Sequence, residues 1–79
     1  MWKENNSVLS KTWQAKDFVE AVDYINRIKI LAENQQHHPD VHLTNYNQLT
    51  IELTTHDAGN KVTEKDRKLA RLIDEELES

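Results

Sequence analysis

A two-layer α+β fold is the expectation for this chain, with elements in the order β-β-α-β-β-α and both helices on one face of a four-stranded antiparallel sheet. Three observations predict it: two apolar stripes at helical spacing, two stretches of strict two-residue alternation, and a single Gly and a single Pro placed as punctuation between them. At 79 residues the chain makes one domain, residues 1–79. A domain this small buries a modest fraction of its surface, and self-association is a common remedy. The uncovered sheet face and edge strands therefore point to a homo-oligomer.

Each element has its own signal. Leu9, Trp13 and Ala15 alternate along Val8 to Ala15 as a half-buried strand, with Lys11 interrupting the apolar face as an aliphatic stem near a sheet edge can. Trp2 begins a short partner strand across the turn "NNS". Asp17 is the N-cap of the first helix, whose stripe is Phe18, Ala21, Val22, Ile25, Ile28 and Ala32, bordered by Leu31. That helix should run to about Gln36, because a residue before proline is pushed out of the α region. Val41, Leu43 and Asn45 alternate next, and Asn47-Gln48 supplies a turn. Leu49, Ile51 and Leu53 then mark the clearest strand, ending near His56. "HDAGN" reads as a loop, Thr63-x-x-Asp66 as a capping box, and Leu69, Ala70, Leu72, Ile73 and Leu77 as the face of the last helix.

Composition removes several classes of function. Net charge is −4 and the pI about 5.5, with Lys and Arg dispersed among acids, so a nucleic-acid footprint is missing. Mean hydropathy is −0.84, yet the apolar periodicity argues for a folded domain. There is no cysteine, hence no disulfide or thiolate metal site. No apolar run approaches the roughly 18 residues of a membrane span, and "MWKENNS" lacks a signal-peptide core, so no membrane partner and a cytoplasmic location are expected.

The chemistry is concentrated in histidine. His37 and His38 stand side by side in "AENQQHHPD", followed by the only proline. They could cap a helix, bind a metal or perform proton chemistry. At a helix end His37 faces the negative pole of the macrodipole and can cap the last carbonyls, while His38 lies in extended geometry, so the two rings diverge. His56 closes a strand, points away from its apolar face and opens into the loop with the only Gly. His42 has no such setting. Metal binding ranks below proton chemistry, because adjacent histidines converge poorly on one ion and the zincin pattern of two helical His with an intervening Glu is missing. Neither a Cys nor a Gly-x-Ser-x-Gly elbow supports nucleophilic catalysis. Imidazoles with a reference pKa of about 6.5 can both give and take a proton near neutrality, which suits an elimination of water.

The pattern Glu33-x3-His37-His38-Pro39-x6-Tyr46-x9-His56-x9-Asp66 resembles the pterin-4a-carbinolamine dehydratases over nearly the whole chain. "DFVEAVDYINRIKILAE" is similar to that family's first long helix and "VLSKTWQAKDF" to the strand before it. The resemblance implies an α+β sandwich assembled as a homodimer or homotetramer. It also implies dehydration of 4a-hydroxytetrahydropterin to quinonoid dihydropterin without metal or cofactor, in tetrahydrobiopterin recycling beside an aromatic amino-acid hydroxylase. His37, His38 and His56 match the family's three active-site histidines. His37-His38-Pro39 and Thr55-His56-Asp57-Ala58 match its substrate-contacting stretches. One imidazole would donate to the C4a hydroxyl, another accept the N5 proton, and the third orient the pterin.

Of the remaining matched positions, Asp66 has a sufficient reason in helix capping. Glu33 can orient His37 four residues on or stand as a solvated helix acid, and Tyr46 is expected to pack or support the sheet. The family often begins with an extra N-terminal helix, where this chain begins almost at the first strand. It also often has an aromatic soon after His-His-Pro, where Asp40-Val41 stand here. The rival reading is a non-catalytic module, since members of this family also act as a coactivator and as assembly factors.

Overall fold

Two turns through the left-handed region fold the strands into hairpins. In the computed structural model, which describes residues 1–78, β1 (Lys3–Asn5) and β2 (Val8–Gln14) are joined by Asn6 and Ser7 at φ 52° and 68°. Positive φ at both central residues is what a two-residue hairpin turn requires for its twist to match that of the strands. The second hairpin joins β3 (Asp40–Thr44) to β4 (Gln48–Leu53). Its turn falls on Asn45 and Tyr46, at φ 49° and 56°, ahead of the expected Asn47-Gln48. Asn47 is instead tied to the end of β2: Ala15 N–H donates to its carbonyl at 2.8 Å, and its Nδ2 donates to the Ala15 carbonyl at 3.1 Å. Tyr46 is therefore no packing residue; it is 63 % exposed at the turn.

The sheet order is β1-β2-β4-β3, antiparallel throughout. Register pairs Leu9 with Leu53, Trp13 with Leu49, and Val41 with Ile51, so one face is apolar. The other carries Ser10 opposite Glu52 and Thr12 opposite Thr50, whose hydroxyls lie 2.8 Å apart. His42, without assigned role, pairs there with Glu52 at 3.0 Å.

Both helices, α1 (Phe18–Gln35) and α2 (Glu64–Glu78), pack on the apolar face. Asp17 caps α1 by accepting the Glu20 N–H at 2.8 Å. Ile28, Leu49, Ile51, Leu53, Leu69 and Ile73 form the fully buried core, each contributing about 1.5–3 kcal/mol by leaving water. Phe18, expected in that core, is 54 % exposed and lines a shallow groove with Val19 and Val22. Lys11 also departs from expectation. Its strand is interior, and two acids of α2 account for it: Nζ lies 2.8 Å from Asp74 and 2.5 Å from Glu78, beneath the Trp13 ring. Burial opposes the charge, but those two carboxylates outweigh it and raise the lysine above its ordinary value.

Candidate active site

Where α1 stops decides where the histidines point. Gln36 enters the left-handed region at φ 53°; its N–H bonds the Glu33 carbonyl and the His37 N–H bonds that of Ala32, at 3.3 and 3.1 Å. This double closure is a Schellman motif. The helix thus ends at Gln35 through Gln36 itself, before Pro39 can act. His37 is swung off the helix, and the i,i+4 relation that would join it to Glu33 no longer holds. Glu33 bonds His38 instead, Oε2 to Nε2, at 2.6 Å, with both side chains about two-thirds exposed.

His37 turns inward. Its Nε2 lies 2.5 Å from Oδ1 of Asp66, a carboxylate with no exposed surface. The second oxygen, Oδ2, accepts the Thr55 hydroxyl at 2.7 Å and the Thr63 N–H at 2.9 Å. Asp66 occupies the third position of α2, so the bond to Thr63 is half of the expected capping box. Capping is only part of its role: it joins the end of α1, the exit of β4 and the start of α2. Complete burial works against its charge, yet the hydrogen bonds from His37, Thr63 and Thr55 prevail and hold the carboxyl below the ordinary 3.8.

β4 ends at Leu53, earlier than expected, and His56 opens a 3₁₀ turn, His56–Ala58. The only glycine closes it at φ 77°, its N–H bonding the His56 carbonyl at 3.1 Å. Thr55 N–H bonds the Lys61 carbonyl across the base of this loop. His56 Nδ1–H donates to Asn60 Oδ1 at 2.8 Å.

His37, His38 and His56 line one open cleft of about 150 Å³. Each ring is tethered at one nitrogen by a side-chain oxygen, and the other nitrogen makes no hydrogen bond among the described residues. Thr55 and Asp57 share the lining, as do Gln36 and Lys65, which the sequence did not mark. Pro39 lies instead on an adjoining apolar groove with Ile25, Ala32 and Val41, which meets the cleft at His38. Ala58 belongs to the 3₁₀ turn but not to the cleft lining. Among the described residues no three His, Cys, Asp or Glu side chains converge as a metal site would need, and no helix is long and apolar enough to cross a membrane.

Fold and site thus define a small α+β protein with three imidazoles around a polar cleft, one of them backed by a buried carboxylate. The family model for pterin 4 alpha carbinolamine dehydratase matches residues 1–76. A protein of Sulfurisphaera tokodaii named "Putative pterin-4-alpha-carbinolamine dehydratase" is 43 % identical over 76 residues, covering 96 % of this chain and 80 % of its own. One of the same name in Trichodesmium erythraeum is 44 % identical over 72 residues, 91 % of this chain and 75 % of its own. Among solved structures, a "transcriptional coactivator/pterin dehydratase" from Brucella melitensis superposes with a TM-score of 0.82 at 31 % identity, covering 92 % of this chain and 78 % of that one. A pterin dehydratase-like RuBisCO assembly factor of the alpha-carboxysome shares the fold, with a TM-score of 0.72 at 16 % identity over 94 % of this chain and 83 % of that one. The chain belongs to the pterin-4a-carbinolamine dehydratase family.

Proposed function

We propose that this protein dehydrates 4a-hydroxytetrahydrobiopterin to quinonoid dihydropterin in the histidine-lined cleft, as a cytoplasmic step of tetrahydrobiopterin recycling beside an aromatic amino-acid hydroxylase. In this elimination a base removes the proton from N5, and the N5–H electron pair becomes the second bond between N5 and C4a. The C4a–O bond breaks, and an acid protonates the departing hydroxide to water. Atoms and electrons balance without a cofactor or metal.

The observation that carries this reading is the lining of one cleft by His37, His38 and His56, with Asp66 behind the first of them. His37 is the base: its Nε2–H donates to Asp66, so Nδ1 is left to accept the N5 proton, and the buried carboxylate stabilises the imidazolium that forms. Asp66 is accordingly a positioning residue. His56 in its protonated form gives the Nε2 proton to the leaving hydroxyl, while the Asn60 bond fixes its ring. His38 orients the bicycle. The Asp57 carboxylate suits the paired N–H donors of the pterin amide edge. The test is turnover of chemically generated carbinolamine above its spontaneous dehydration. An increase in rate proportional to protein supports the reading, and a rate equal to the blank refutes it.

A docking role is the second reading. Phe18, Val19 and Ile30 of α1 are 54 %, 76 % and 59 % exposed, and Phe18, Val19 and Val22 line one shallow groove. A second copy, in a homodimer or homotetramer, is its occupant in this reading. Light scattering decides it: a dimer or larger in the wild type and a monomer in Val19→Glu support the surface, whereas a monomer in both removes it.

A further inference from the structure

We propose that Thr55 is a positioning residue for the elimination, acting through Asp66 on His37 rather than by touching the pterin; this rests on the dehydratase reading and adds a residue to the machinery of the same cleft. Thr55 stands in a stretch expected to contact substrate and borders the cleft, yet it is only 5 % exposed. Its Oγ1 lies 2.7 Å from Oδ2 of Asp66 and 2.7 Å from Oγ1 of Thr63. Burial works against the Asp66 charge, but its hydrogen bonds keep the carboxyl ionised, and a carboxylate only accepts. A hydroxyl has one hydrogen to give. That of Thr55 therefore goes to Asp66, and the Thr63 hydroxyl donates to Thr55. Thr63 Oγ1 in turn accepts the Lys65 N–H at 3.3 Å, in the first turn of α2. The bonds run in one direction, from the start of α2 through two hydroxyls to the charge behind His37, and bonds in such a chain reinforce one another.

The backbone keeps that hydroxyl aimed. Thr55 N–H bonds the Lys61 carbonyl at 2.9 Å, and the Thr55 carbonyl accepts the N–H groups of Ala58, Asn60 and Lys61 at 3.2, 3.0 and 3.4 Å. A β-branched side chain on a backbone held this way has little χ1 freedom. The same bonds close the loop that carries His56, the next residue in the chain. Thr55 thus ties the loop of the proton donor to the carboxylate that orients the proton acceptor. While Thr55 and Thr63 hold one oxygen of Asp66, the other meets only His37, so the ring hydrogen stays on Nε2 and Nδ1 stays free. Without the Thr55 bond the carboxylate turns more freely and is more basic, which favours the imidazolium before substrate arrives. The other titratable groups around His37 are His38, His56, Asp57 and Lys65 of the cleft, and none bonds the Thr55 hydroxyl.

Thr55→Val, close in shape and lacking only the hydroxyl, tests this on chemically generated carbinolamine. It should lower kcat by about 10–100-fold with KM within about two-fold of the wild type, and it should move the acidic limb of the pH–rate profile to higher pH. Thr55→Ser, which keeps the hydroxyl, should restore kcat to within about three-fold and return the limb. In an Asp66→Asn background Thr55→Val should change kcat by no more than about two-fold, because its effect passes through the carboxylate. Should Thr55→Val not fold, Thr63→Ala removes only the outer hydroxyl, and kcat should fall about two- to three-fold with the limb moving the same way. Long-range ¹H–¹⁵N spectra of the His37 ring give a readout without substrate: the Nε2–H tautomer in the wild type, and more imidazolium at the same pH in whichever variant folds. A raised KM at unchanged kcat, full loss of additivity with Asp66→Asn replaced by multiplying effects, or wild-type kcat, limb and ring spectra in the folded variant overturn the assignment and leave the dehydratase reading intact. No turnover by the wild type, with ring spectra that do not respond to the variant, overturns both.

Discussion

His37 Nε2 and Asp66 Oδ1 lie 2.5 Å apart, joining residues from the end of α1 and the first turn of α2 through a carboxylate with no solvent exposure. The pair fixes the ring by one nitrogen and leaves the other for chemistry. It also places a charge in the interior that is compatible with folding only while its hydrogen bonds persist.

Replacing Asp66 with Asn keeps the shape and removes the charge. An amide can present its N–H₂ to the ring and favour the wrong tautomer, so kcat should fall by about 10²–10⁴-fold. The acidic limb of the pH–rate profile should move as well, a change that a purely structural residue would not produce. Steady-state kinetics between pH 5 and 9, with circular dichroism to verify the fold, measures both.

The same substitution alters stability against acid. The Asp66 carboxyl is held below its ordinary 3.8 in the folded state. Its contribution is therefore complete above that value and disappears as pH falls through the lower, folded one, where the native state must take up a proton. Urea unfolding from pH 6 to pH 2 should show a steep loss below about pH 4 in the wild type and a shallower one in Asp66→Asn. At pH 7 the variant should be less stable by about 2–4 kcal/mol, since it breaks charge-assisted bonds inside the protein.

The order of elements was legible because two-residue alternation and helical periodicity are local signals, and both hairpins and both helices follow them. Long-range pairing is not local. Lys11 looked like an edge residue because Asp74 and Glu78, its partners, stand near the other end of the chain. Asp66 matched a capping box three residues from Thr63, and that sufficient local reason concealed His37, 29 residues away. Glu33 stands four residues before His37, a helical spacing that the left-handed Gln36 cancels. The turn moved from Asn47 to Asn45 because both asparagines tolerate positive φ, and only the contact with Ala15 distinguishes them. The flanking Pro39 and Gly59 hinted that His37, His38 and His56 come together, and they line one cleft; that Lys65, one charge among many on a polar helix, lines it too had no local signal.

Lys11 supplies a prediction for the core. Its side chain is 10 % exposed and bridges β2 to α2, whereas Asp74 and Glu78 are 35 % and 49 % exposed and partly screened by water. Lys11→Ala should lower stability by about 1–3 kcal/mol, mostly through lost packing of the stem. Lys11→Met, which keeps the stem, should lose less. Parallel urea melts at low and high salt separate packing from charge, because only the charge contribution weakens with salt.

Gln36 holds the left-handed closure of α1 with a residue other than glycine. Gln36→Gly should raise the unfolding free energy by about 0.5–1 kcal/mol by removing the steric penalty at φ 53°, less the loss of the side-chain bond to the Glu33 carbonyl. Thermal unfolding monitored by circular dichroism would register this as a higher midpoint.

The central claim is that three imidazoles around one cleft perform the elimination, and single-turnover dehydration of the carbinolamine by His37→Ala, His38→Ala and His56→Ala proteins tests it most directly. With native far-ultraviolet spectra verified, His37→Ala and His56→Ala should each slow the step by at least about 10²-fold, and His38→Ala should mainly raise the enzyme concentration that gives the half-maximal rate. Wild-type rates in all three variants would contradict the account.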